Sequence, residues 1–227
     1  MLSAWSPLGE RRTPINKKFE ITDIAHETYP FLHRIRALQD IGNQVRAGDL
    51  GGFVEHEGNL SRDVADTAWI FNDAIAAGNA RVDSGAQLRD YALACDNAHV
   101  SNGAVMSGNS RAEDNAYLRG AVLKDSARAS GESMILDATG DGRLFPVLSG
   151  NSAVYGKVQG SIHVRDSVLI FSNEDYQNES TDTFVLDRNG RSILRDPARE
   201  ILTPLIPQNE PVRTPSKSVR KTRGTSR

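Results

Sequence analysis

A small residue, almost always alanine, stands at every sixth position from Ala68 to Ala116 and, after a slip of one residue, from Ala121 to Ser133. Two residues after each comes an apolar residue, as in Ile70, Val82, Leu88, Val100, Met106, Leu118, Leu123 and Ile135. Turn formers precede most of the small positions: Asn72-Asp73, Gly78-Asn79, Ser84-Gly85, Asp96-Asn97, Asn102-Gly103, Gly108-Asn109 and Asp114-Asn115. A fixed internal repeat decides the fold before local propensity does. A helix needs apolar spacings of three and four, and Gly, Asn or Asp in every second turn would break it. Small–x–apolar followed by a turn pair instead predicts a very short strand and a bend, with Asn and Gly tolerating positive φ at the corner.

A second period fixes the wrapping. Ala76, Ala94, Ala112 and Ala129 are the smallest of the apolar positions, spaced by 18, 18 and 17 residues. One full coil is therefore three hexads, a triangular prism with one vertical column of alanine. Stacked coils pair as parallel strands about 4.8 Å apart. The spacing of six excludes a pentapeptide solenoid as the main architecture.

The hexads, such as Val82-Asp83-Ser84-Gly85-Ala86-Gln87 and Val100-Ser101-Asn102-Gly103-Ala104-Val105, resemble the hexapeptide repeat of left-handed parallel β-helix proteins. The left hand comes from that resemblance, because the general rule for crossovers favours the right. The family also implies association as a homotrimer through flat prism faces. The expected fold is all-β: a left-handed parallel β-helix with a small antiparallel N-terminal cap, a C-terminal hairpin cap and a disordered basic tail.

Along the chain, residues 1–16 read as a flexible leader with Trp5 its one bulky residue. Residues 17–60 read as the N-terminal cap, which a solenoid needs because its end is an open strand edge. Residues 61–170 hold the coils, with a loop at 137–149 where the period breaks. Residues 171–206 form the C-terminal cap, marked by Asn189-Gly190 between two apolar arms, a hairpin signal. Residues 207–227 hold three prolines and six cations with no acid after Glu210, a disordered basic tail. A second resemblance covers roughly 17–170. Lys18-Phe19-Glu20-Ile21-Thr22, then Ala47-Gly48-x-x-Gly51-Gly52-Phe53-Val54 and Asn59-Leu60-Ser61 ahead of hexads, is similar to uncharacterised bacterial and prophage YdcK-like β-helix proteins, which carry no assigned activity.

The chain has 227 residues with 27 basic and 29 acidic side chains, so global charge names no partner. One cysteine, Cys95, excludes an internal disulfide and suits a reducing compartment. No apolar stretch reaches the roughly 18 residues of a membrane span, and the first residues lack the apolar core of a secretory signal. The expected location is the host cytoplasm, or a virion assembled there.

Candidate chemistry is sparse. Hexapeptide β-helix enzymes are mostly acyltransferases with a histidine base at a cleft between subunits. Here His99 and His163 stand at outward positions within the coils, flanked by inward Ala98 and Val100, and by Ile162 and Val164. Each reads first as an ordinary exposed or interface histidine, since sequence assigns neither an orienting carboxylate nor a loop. A zinc site of the carbonic anhydrase kind is not expected: of His26, His33, His56, His99 and His163, three precede the coils and no pair has ligand spacing within them. Asp137 and Asp141 lack the remaining spacing of a calcium loop. Cys95 follows inward Ala94, points outward, and has no assigned base. No coenzyme-binding element follows the coils, and neither cofactor nor metal is expected. Arg213, Lys217, Arg220, Lys221, Arg223 and Arg227 of the tail could contact phosphates non-specifically or an acidic protein surface.

These features lead to an expected non-enzymatic, phage- or prophage-type binding or structural protein acting through protein–protein contacts. It would be a virion component or an inhibitor of a host factor. The alternative is an acyltransferase using His99 or His163, and a third option is a small-ligand sponge in subunit clefts.

Overall fold

The computed structural model describes residues 16–138 and 144–196. Within them the chain is a parallel β-solenoid of seven stacked layers on three sheets of nine, six and eight strands. The hexads predict this architecture, and the register repeats it coil by coil. The first sheet stacks Ala76 on Ala94, Ala94 on Ala112 and Ala112 on Ala129, then gives way to Val154 and Ile170. Val82, Val100, Leu118, Ile135 and Val158 fill the inside of the second sheet. Ile70, Leu88, Met106, Leu123, Leu148 and Val164 fill the third. All of these are buried.

The corners work as the composition predicts. Asn72, Ser84, Asp90, Asp96, Asn102, Asp114, Asp125 and Asp166 all take positive φ between 52° and 63°. Asn and Asp are the non-glycine residues that tolerate this region best. Their side chains also tie one coil to the next. Asp90 accepts from the Gly108 amide at 2.9 Å, Asp114 from Gly131 at 2.9 Å and Asp125 from Gly150 at 2.9 Å. An amide ladder runs beside them: Asn79 donates to Asn97, Asn97 to Asn115, and Asn115 to Glu132. Each bond contributes about 1 kcal/mol, and together they fix the vertical register.

The one-residue slip is a corner shortened to Gly120, which has φ +57° and lies so close to Asp137 that a Cβ would sit 2.8 Å from its carboxyl carbon. The same corner, between the second and third sheets, also takes the insertions. The step from inward Ile135 to inward Leu148 contains the segment at 137–146, and the step from Tyr176 to Leu186 is also lengthened.

Three strands form the N-terminal cap, β1 (Phe19–Ala25), β2 (His33–Ala37) and β3 (Leu50–Val54), with β2 antiparallel to both its neighbours and β3 parallel to the first coil. The Gly51-Gly52 pair is there for close approach. A Cβ on Gly52 would lie 2.4 Å from the Ala74 carbonyl oxygen, and one on Gly51 would meet Ile35, Ile70 and Trp69. Asn59 is wholly buried with every polar atom used: Oδ1 accepts from the amides of Glu55 and His56, and Nδ2 donates to Gly78 and Ala80. These contacts account for the Gly-Gly-Phe-Val and Asn-Leu-Ser strings. Phe19 closes the core edge-on to Trp69 at 6.5 Å.

At the other end, strands Thr183–Asp187 and Gly190–Leu194 form the expected hairpin, and the Arg191 guanidinium crosses the Tyr176 ring at 5.1 Å. Residues 139–143, Trp5 and the whole basic tail lie outside the described residues.

Candidate functional site

Both histidines occupy the outward position just ahead of an inward residue, and each stands in a vertical column of such positions. On the second sheet the column reads Arg81, His99, Tyr117, Met134, Lys157 and Asp175. On the third it reads Gln87, Val105, Val122, Val147 and His163. Their surroundings follow from what the coils above and below supply.

His99 has the orienting acid that the sequence alone does not reveal. Its Nε2 lies 3.1 Å from Asp83 Oδ2, and Arg81 Nε reaches the same oxygen at 2.7 Å. Asp83 follows inward Val82, one coil earlier and diagonal to His99. Its carboxylate is largely buried, while the imidazole is 39% exposed and lies against the Tyr117 ring at 5.2 Å. With the proton on Nε2 donated to Asp83, Nδ1 is the free lone pair. That is the arrangement of an oriented base.

A shallow groove of about 550 Å³ has Asp83 in its wall together with Asp63, Asp66, Thr67, Arg81 and Ser84; His99 is not part of its wall. Asp66 is already spent on structure. It accepts from the amides of Ala68, Ser84 and Gly85 at 2.7–2.9 Å. Burial pushes its carboxyl up, but those amides and the Ser61 hydroxyl outweigh burial and hold it below the usual range. Lys18 is fully buried nearby, and its Nζ has no hydrogen-bond partner. Burial pulls its ammonium down, against the attraction of Asp66 and then Asp63.

His163 has the opposite setting. Burial and then the cations Lys124 and Arg165 push its imidazole below the ordinary value. The charged groups that act on this ring are cations, not an orienting acid. Cys95 is half-buried and unpaired by any disulfide. Burial, followed by its hydrogen bond to Asp96, pushes the thiol up to about 12, which leaves almost no thiolate at neutral pH. No group of three or more potential metal ligands occurs among the described residues, and no helix there is long and apolar enough to cross a membrane.

The structure thus brings His99 together with Asp83, Arg81 and Tyr117, and places His163 on a different sheet. The spacing of 16 residues between Asp83 and His99 becomes meaningful only once a coil is known to be 18 residues long. The tail cations Arg213, Lys217, Arg220, Lys221, Arg223 and Arg227 lie beyond the described residues. No family model matches this chain, and no curated protein matches it significantly.

Proposed function

We propose that this chain is a non-enzymatic binding or structural protein, of the phage or prophage type its sequence resembles, and that it works through the outer faces of a rigid solenoid. What carries this reading is the third sheet. Val105, Val122 and Val147 stack in register as a half-buried, β-branched column on a flat face. Adjacent outward positions alternate Ser107, Lys124, Ser149 and Arg165, a polar rim beside the apolar column. A flat apolar strip with a polar border is interface chemistry. The occupant we assign to it is further copies of this chain, as a homotrimer in the cytoplasm or in a virion.

Val122→Asp tests this, because it changes an outward side chain and leaves the core alone. The parent is expected to show a trimeric mass by light scattering, and the variant a monomeric mass with unchanged β-sheet circular dichroism. A monomeric parent overturns the trimer and removes the third sheet as the working face.

A second reading rests on one observation, the 3.1 Å contact between His99 and Asp83. As an acyltransferase, the chain would use His99 Nδ1 to deprotonate an acceptor hydroxyl or amine, with Asp83 holding the ring. Turnover of an acyl-thioester donor that disappears in both His99→Asn and Asp83→Asn would favour it.

A further inference from the structure

Aromatic residues make up only 6% of the chain, yet several gather at one exposed place on the N-terminal cap. The end of β1 and the turn after it, residues 24–28, overhang the outer surface of the first sheet. Between them and the corner carrying Tyr91 lies a groove of about 440 Å³. Its floor is Phe53 and Ile75, stacked in register. Its walls are Ile24 and His26 on one side and Tyr91 on the other. Tyr91 is 67% exposed, and Ile24 is 43% exposed. Tyr29 and Phe31 stand just beyond, their rings 6.1 Å apart and both exposed.

The groove is held open by groups already engaged in the fold. The Arg34 guanidinium lies 4.4 Å above the Phe53 ring, donates to the carbonyls of Gly51 and Asn72, and pairs with Asp73 at 2.5 Å. His26 meets Phe53 edge-on at 4.8 Å, and its Nδ1 accepts from the amides of Thr28 and Tyr29. The only cation in the lining is therefore already paired with an acid. The net charge of the lining is negative, because Arg34 and Asp73 offset each other and exposed Glu27 remains.

We infer that this groove docks a segment of a partner protein that sets a lysine or arginine beside an apolar anchor. The anchor would lie on Ile75 and Tyr91, above buried Phe53, and the cation would meet Glu27. Exposed tyrosines around a preformed apolar floor are the usual energetic centre of a protein interface, and the acidic rim disfavours nucleic acid. This inference rests on the binding-protein reading above but concerns a different surface.

The test is selection of a random linear peptide library on the full chain. Selected sequences are expected to combine Lys or Arg with an apolar residue. Their affinity should fall about tenfold in Tyr91→Ala and severalfold in Glu27→Gln, with melting unchanged. Peptides that bind Tyr91→Ala as well as the parent, acidic peptides, or failure to select any peptide would overturn the inference. Binding in the groove of synthetic peptides copying residues 1–15 or 211–227 would also overturn it, because the occupant would then be the chain itself. Light scattering on the same samples separates the two proposals. A trimer with an inert groove refutes only the groove, and a monomer with an active groove refutes only the trimer.

Discussion

His99 and His163 stand at the same place in the hexad, one residue ahead of an inward valine, on different sheets of one prism. The first meets a carboxylate shared with Arg81. The second meets Lys124 and Arg165. Position within the repeat decides only whether a side chain faces in or out. What an outward side chain can do is decided by its neighbours one coil away. A solenoid separates these two layers of information, because the core needs only small and apolar residues in period and leaves the outer columns free to vary.

The sharpest way to break the comparison is to remove the rail beneath one histidine. Val100→Asp places a charge at a fully buried position with no partner. The expected cost is more than about 4 kcal/mol, enough to abolish the cooperative melting transition and the β-sheet circular dichroism. Retention of both would mean that the inward register, and with it the outward placement of His99, is wrong.

A smaller effect tests the prism's cross-section under each histidine. The coil of His99 is built on Ala94, whereas the first-sheet column nearest His163 is filled by Val154 and Ile170. Ala94→Leu should overpack the early coils and lower stability by about 1–3 kcal/mol. Val154→Ala should cost a similar amount by leaving a cavity. If Ala94→Leu is neutral in thermal unfolding, the alanine column does not set the width of the prism.

Smaller again is the pH response, which should belong to His163. Its folded-state pKa lies below the unfolded value of about 6.5, so the unfolded chain takes up the proton first as pH falls. Its contribution to stability is therefore complete above that value and is lost as pH drops from there toward the folded-state pKa. His163→Gln should flatten the corresponding part of a melting-temperature profile below about pH 6.5. An unchanged profile would remove His163 as the responsible group.

The core was legible in the sequence because small and apolar residues at fixed intervals leave few alternatives. The 18-residue coil, the alanine column and the Asn189-Gly190 hairpin all follow from spacing and turn chemistry. The cap's details were not legible. Gly51 and Gly52 look like an ordinary turn until the backbone of Ala74 is seen lying against them. The acid beside His99 was also hidden. Reading along the chain leads from His99 to Cys95 on the other side of a corner, while the real neighbour, Asp83, is reached only by stepping up one coil and across the strand. The preference of insertions for one corner is equally a three-dimensional fact, since the sequence shows only where the period breaks.

The gentlest perturbation is the most informative about His99. Asp83→Asn keeps the side chain's size and its hydrogen-bonding oxygen but removes the charge that Arg81 and His99 share. Arg81 is well exposed, and pairs of this kind contribute about 0–1 kcal/mol, so the melting temperature should move by only a few degrees. The ring itself should respond more. An amide can present its NH2 group to the imidazole and so favour the other tautomer, with the proton on Nδ1 and the Nε2 lone pair taken up by the amide. Nitrogen-resolved NMR of the histidine side chains reads this directly. A tautomer switch at His99 with His163 unchanged would establish that Asp83 orients one histidine and not the other. Identical spectra in parent and variant would mean that the carboxylate serves Arg81 alone, and the acyl-transfer reading would lose the one observation that favours it.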